Sequence, residues 1–129
     1  MADYVHGYSS REAQRLNEQS VILEKLLHAD VSYPSGSKVL EAGCGVGAQT
    51  AILARRSPGA QFTCADLNRE SLECARRRME EAGLQNARFH QADINNLSFN
   101  DDRFDHVFVC FVLEHVPDPV ATLVELRRV

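Results

Sequence analysis

Three glycines on alternate positions, Gly43, Gly45 and Gly47, follow an acid, Glu41, in the run Val39-Leu-Glu-Ala-Gly-Cys-Gly-Val-Gly-Ala-Gln-Thr50. Glycine removes the Cβ where a chain must turn sharply and lets a ligand approach the backbone closely. The residues after Gly47 are good helix formers at helical spacing, Ala48, Ala51, Ile52 and Ala54, so the run reads as strand, glycine turn and first turn of a helix. Backbone N–H groups at such a helix start have no partner within the helix and are free for polar ligand atoms. Two further acids, Asp66 and Asp93, each sit at or near the C-terminal end of a strand-like segment. His115, in Leu113-Glu-His-Val116, is a titratable group suited to general-base work near neutral pH. The other histidines, His6, His28, His90 and His106, read as packing or surface residues.

A glycine turn of this kind suits a nucleotide-like ligand, and two classes compete. Gly43, Gly45 and Ala48 satisfy the loose dinucleotide pattern, with Asp66 as the ribose acid about 20 residues on. Three features favour a different ligand. Glu41 stands where a pyrophosphate would be repelled, Gly47 adds a third alternating glycine, and Asp93 supplies a second strand-end acid. A ligand with an ammonium, a ribose and an adenine, and no phosphate, uses all three acids.

The elements that must position these groups follow from pattern. Arg11 to about Ala29 reads as an amphipathic helix, and residues 31–37, with Pro34 and Gly36, as a loop. Strands are expected at 38–42, 61–66, 88–92 and 104–111. Helices are expected at 47–56, from Asn68 or Asp66 to about Ala82, and from Asp118-Pro119 onward, the last with a cap before proline. Residues 94–102 read as a polar loop, and 112–116 as a loop or short helical turn. Alternating strands and helices predict a parallel sheet with right-handed crossovers, its ligand beyond the carboxyl ends of the strands.

Composition narrows the function classes. The 129 residues suffice for one core, and a net charge of −4 offers phosphate backbones no general attraction. Arg76-Arg77-Arg78 is interleaved with Glu73, Glu80 and Glu81 at helical spacing and reads as a solvated, ion-paired face. No nucleic-acid or membrane partner is expected, since no apolar run approaches spanning length. The N-terminus lacks a signal-peptide pattern. The cysteines, Cys44, Cys64, Cys74 and Cys110, show neither paired nor metal-ligand spacing. Reduced thiols, no metal and a cytoplasmic location are the expectation.

Val39 to Gly47 resembles the first motif of class I S-adenosylmethionine-dependent methyltransferases. Ala65-Asp-Leu-Asn68 resembles that family's second-strand acid, Gln91-Ala-Asp-Ile94 its adenine-contacting segment, and Phe104 to Val116 the fourth-strand region of its small-molecule branch. The resemblance implies an α/β, Rossmann-like three-layer sandwich with a mainly parallel sheet. About four strands of the family's usual seven are present, plus an N-terminal helix. Residues 1–37 would form a lid or helix segment, and 38–129 the N-terminal part of the cofactor-binding domain. The implied function is methyl transfer from S-adenosylmethionine to a small-molecule acceptor; a non-catalytic module binding that cofactor and an NAD-type oxidoreductase domain are the alternatives.

The resemblance also implies roles. The glycine turn, Gly43, Cys44, Gly45 and Gly47, would pass under the methionine part of the cofactor, with Glu41 orienting the turn and reaching the ammonium. Asp66 would accept the ribose hydroxyls, Leu67 would lie on the adenine with Asn68 beside it, and Asp93 would accept the adenine amino group with Ile94 on the other ring face. The Cys110 carbonyl would help hold the ammonium, and Tyr4, Tyr8 or Arg11 would close over the cofactor. His115 is the candidate catalytic base. With four strands, the chain is expected to be a partial one, its fourth strand an open edge or paired with a second copy in a homodimer.

Overall fold

The computed structural model describes residues 10–129. The chain divides into two compact units, Met1–Val31 and Ser32–Val129. In the first, helix α1 spans Ser10–Leu27 and leaves Val21 and Ile22 exposed. Residues 32–37, grouped with that helix in the sequence reading, belong to the second unit. Tyr33 N–H donates to Ser57 Oγ at 2.8 Å, Gly36 N–H donates to the Gly59 carbonyl, and the Tyr33 ring packs edge-on against Phe62.

The second unit runs β1 (Lys38–Ala42), α2 (Ala48–Arg56), β2 (Gln61–Asp66), α3 (Arg69–Glu81), β3 (Ala87–Gln91), β4 (His106–Val109), a 3-10 turn (Leu113–His115) and α4 (Pro119–Arg128). The four strands form one sheet in the order β3-β2-β1-β4, and every pairing is parallel. The chain therefore steps outward from β1 through β2 to β3, then returns to the far side of β1. The switch point lies between β1 and β4. Among the described residues β4 pairs with β1 alone, so its outer edge carries no strand.

Pleating sorts the side chains to two faces. Val39 and Glu41 share one face with their register partners Phe62 and Cys64. There α2 buries Thr50, Ala51, Ile52, Leu53 and Ala54, and α3 buries Ser71, Leu72, Ala75 and Met79. Leu40, Ala42 and Ala65 lie on the opposite face, in a cluster with Leu126 and Val129 from the end of the chain. Helices on both faces of the sheet give the expected three layers.

Local chemistry sets the element ends. The Asn68 side chain accepts from Ser71 N–H at 2.8 Å and starts α3; Asp118 accepts from Ala121 N–H at 3.1 Å and starts α4, with Pro119 in its first turn. β4 is shorter than the expected 104–111. Phe111 adopts φ 58°, a left-handed conformation costly for an aromatic residue, and takes the chain out of the sheet. The connection from β3 to β4 also differs from a plain polar loop. It buries Ile94 and Leu97 in the cluster under α4 and packs the rings of Phe99 and Phe104 edge-to-face at 5.1 Å.

Gly47 caps α2 with φ 81°, and a Cβ built there would lie 2.8 Å from Ala75 Cβ and 3.0 Å from Ala75 Cα. Its missing side chain is what lets α3 pack on the turn. Gly47→Ala should therefore cost about 2–4 kcal/mol, combining left-handed strain with overpacking. Urea denaturation measures it, and an unchanged midpoint would contradict this packing.

Candidate cofactor site

At the carboxyl ends of the strands lies a cleft of about 220 Å³. Gly43 follows β1, Asp66 and Leu67 close β2, Ala92 to Asn95 follow β3, and Val112 with His115 to Pro117 follow β4. Segments following all four strands thus line it, outside their carboxyl ends as the switch-point rule places a ligand.

The glycine turn is held from both sides. The N–H groups of Gly43 and Cys44 donate to the Ala65 carbonyl at 2.8 and 3.1 Å. The Gly45 N–H donates to Asp66 Oδ2 at 2.9 Å, while Asp66 Oδ1 accepts from Asn68 N–H at 2.9 Å. Each carboxylate oxygen of Asp66 keeps acceptor capacity beyond these bonds. Gly43 adopts φ 75°, and a Cβ there would meet Val112 Cγ2 at 2.6 Å, so a bare backbone at 43 lets the segment after β4 close on the turn. A Cβ on Gly45 would meet no atom within 4 Å, so the backbone there stays open to close approach.

Asp93 Oδ1 accepts from the backbone and side-chain N–H groups of Asn95 at 2.9 and 3.2 Å. Asp66 and Asp93 thus sit in one cleft, with exposed Leu67 and buried Ile94 beside them. Among the described residues no lysine or arginine lines it. Two carboxylates without a cation favour a positively charged, phosphate-free ligand over a pyrophosphate.

Glu41 stands apart. Pleating turns it to the α2 face, where it is 4% exposed and its Oε1 accepts from Thr50 Oγ1 at 2.5 Å. It does not line the cleft, so the expected row of three acids is a pair in the cleft and one buried behind the turn. Burial pushes its carboxyl up to about 7, opposed by hydrogen bonds from Thr50 and Cys64 and aided by the negative charge of Asp66. The hydrogen bond with Cys44, then burial, hold the Cys64 thiol well above its ordinary range. These buried thiols pack as small hydrophobes.

Of the other residues named from sequence, Cys44 is buried beneath the turn, Gly45 and Gly47 shape it, Asn68 is spent on its cap, and Cys110 is half-buried at the end of β4. None of these five lines the cleft. His115 does, and is exposed. Arg11 is an exposed residue of α1 in the first unit. Tyr4 and Tyr8 lie outside the described residues. The sequence reading missed Ala92, Asn95, Val112, Val116 and Pro117 as lining residues. Their signal was adjacency to the strand-end acids and to His115. Among the described residues no three or more His, Cys, Asp or Glu side chains are grouped to hold a metal ion.

A family model described as a methyltransferase domain matches residues 39–129. The chain belongs to that methyltransferase family. It is 39% identical over 117 residues to the methyltransferase GfsG of Streptomyces halstedii, covering 90% of this chain and 39% of that protein. It is 31% identical over 126 residues to a demethylmenaquinone methyltransferase of Staphylococcus aureus, covering 93% of this chain and 52% of that one. This methyltransferase-family chain thus spans about half or less of the length of these relatives. Among solved structures, a SAM-dependent methyltransferase from Aquifex aeolicus superposes with a TM-score of 0.75 at 22% identity over 94% of this chain and 66% of that one. The PH0226 protein of Pyrococcus horikoshii gives 0.71 at 27% identity over 95% and 56%. The Rossmann-like α/β sandwich expected from the motifs is the fold these structures share.

Glu41 yields a pH prediction. Its native carboxyl titrates near 7, against an ordinary value of 4.5, so between these values the native state holds more protons than the unfolded chain. Stability should be full below about pH 4.5 and fall as pH rises toward 7, by about 3 kcal/mol from this group. Glu41→Gln should flatten that fall in urea melts across pH 4.5–8. An identical slope in the variant would show that Glu41 is not its source.

Proposed function

We propose that this chain is the cofactor-binding part of an S-adenosylmethionine-dependent methyltransferase acting on a small-molecule acceptor. The observation that carries the reading is the cleft itself: two strand-end carboxylates, no lysine or arginine among the described residues, and a glycine turn opening onto the same switch point. The donor set fits the cofactor. Asp66, with acceptor capacity left on both oxygens, would take the ribose hydroxyls. Asp93 would accept the adenine amino group, with Leu67 and Ile94 on the two ring faces. Gly45, open above its backbone, would admit the methionine part. The Cys110 carbonyl, close in sequence to the cleft-lining Val112, would join it. When bound, the cofactor supplies an activated methyl group on a sulfonium.

The remaining work falls to alignment and exclusion of water. Gly43 and Val112 lock the turn to the segment that carries His115. His115 is the group placed to take a proton when the acceptor must lose one. Glu41 acts behind the turn, holding the first turn of α2 through Thr50. Of the expected lid, residues 1–31, with Tyr4, Tyr8 and Arg11, would serve in that role. The name of one relative, a demethylmenaquinone methyltransferase, supports a small-molecule acceptor. No helix among the described residues is long and apolar enough to cross a membrane, which fits the cytoplasmic location we propose.

Calorimetry with S-adenosylhomocysteine and with NAD tests the reading. The homocysteine compound should bind and NAD should not; tight NAD binding alone would overturn it. Asp66→Ala should weaken the first by about 1.5–3 kcal/mol, the range for hydrogen bonds to a charged group; an unchanged affinity would remove Asp66 from the ribose site.

The open edge of β4 adjoins the exposed Phe111, and α4 exposes Val120, Leu123 and Val124 at helical spacing. We propose that this side pairs two copies of the chain. Light scattering should give a dimer that Val124→Glu disrupts; a monomer at all concentrations would refute it.

A further inference from the structure

Asp93 is exposed, yet its carboxylate is not free to rotate. Its Oδ1 receives both the backbone N–H and the side-chain amide of Asn95. The Asn95 Oδ1 in turn accepts from the hydroxyl of Thr122, which is fully buried on α4. The partners fix the amide orientation. A carboxylate only accepts, so the NH₂ faces Asp93; this turns the carbonyl oxygen to Thr122, whose single hydroxyl proton is shared between it and the Asp118 carbonyl at 3.2 Å. Thr122 lies one turn after the Asp118 cap. The same helix grips the rest of the connection: Glu125 Oε2 accepts from Leu97 N–H at 2.6 Å, and Arg128 donates to the carbonyls of Leu97 and Phe99 at 2.9 and 3.0 Å.

We propose that Asn95 and Thr122 are positioning residues that fix the base selectivity of the cleft. They commit Asp93 Oδ1 and leave Oδ2 as the acceptor presented to the ligand. An acceptor-only oxygen at that point takes a hydrogen bond from a 6-amino purine and repels the carbonyl oxygen of a 6-oxo purine. With the relay cut, Oδ1 keeps only the backbone N–H of residue 95, the carboxylate turns more freely about that one bond, and discrimination between the two bases narrows. This inference rests on the assignment of Asp93 to the adenine amino group.

The test is the affinity ratio for S-adenosylhomocysteine over S-inosylhomocysteine, measured by calorimetry on the whole chain. Wild type should prefer the amino compound. Asn95→Ala and Thr122→Val should each lower that ratio about three- to tenfold, the effect of one hydrogen bond, and Thr122→Ser should restore it. A purely structural role would weaken both ligands alike and leave the ratio unchanged, which would overturn the proposal. Asn95→Ala leaves α4 untouched and carries the test alone if Thr122→Val does not fold. Asp93→Asn separates the two ideas. A wild-type ratio in that variant removes Asp93 from base recognition altogether. A collapsed ratio there, with wild-type ratios in the Asn95 and Thr122 variants, overturns the relay and keeps the site.

Discussion

The carboxylate of Asp66 joins three pieces of backbone: the end of β2 that carries it, the Gly45 N–H of the turn after β1, and the Asn68 N–H that opens α3. Charge-assisted bonds of this kind are the stronger class of hydrogen bond. They act where the parallel register already brings Ala42 beside Ala65 and the Ala65 carbonyl takes the Gly43 and Cys44 N–H groups. The glycine turn is therefore built by β2 as much as by its own residues. A ligand seated on Asp66 would feel the turn directly, because one side chain orders the backbone and faces the cleft.

Beneath this surface lies a less stable arrangement. Glu41, Thr50 and Cys64 form a buried polar knot between β1, β2 and α2, where a carboxylate has only hydrogen bonds to offset its lost hydration. A nonpolar residue at 41 would serve the core better. What the acid does there is hold Thr50 in the first turn of the helix that follows the glycine turn, a local conflict of the kind found at functional sites. Tyr33 belongs to the same neighbourhood, since burial and the Glu41 charge both hold its phenol above the ordinary value.

Much of this was legible in the chain. β1 and β2 fall on the expected residues, and the caps at Asn68 and Asp118 are where a polar residue precedes helix formers. Parallel order followed from alternation. What failed did so for identifiable reasons. A period of two assigns a residue to a face without saying which face meets the ligand, so the pattern cannot show that Glu41 points beneath the cleft rather than into it. β4 ends before its sequence pattern does, because nothing in Cys110-Phe111-Val112 announces a left-handed backbone at an aromatic residue. The connection from β3 was read as polar because its two buried anchors, Ile94 and Leu97, are diluted among asparagines and aspartates. Lining residues such as Val112 and Pro117 carry no chemical signature; only the fold brings them to Asp66 and Asp93.

We propose that paired carboxylates at the switch point between β1 and β4 recognise the adenosine part of a phosphate-free ligand. A crystal structure of the chain with S-adenosylhomocysteine tests it most directly. The account requires the ribose hydroxyls within hydrogen-bond distance of Asp66 and the purine between Leu67 and Ile94. A ligand bound outside this cleft, with Asp66 still bonded only to Gly45 and Asn68, would contradict it.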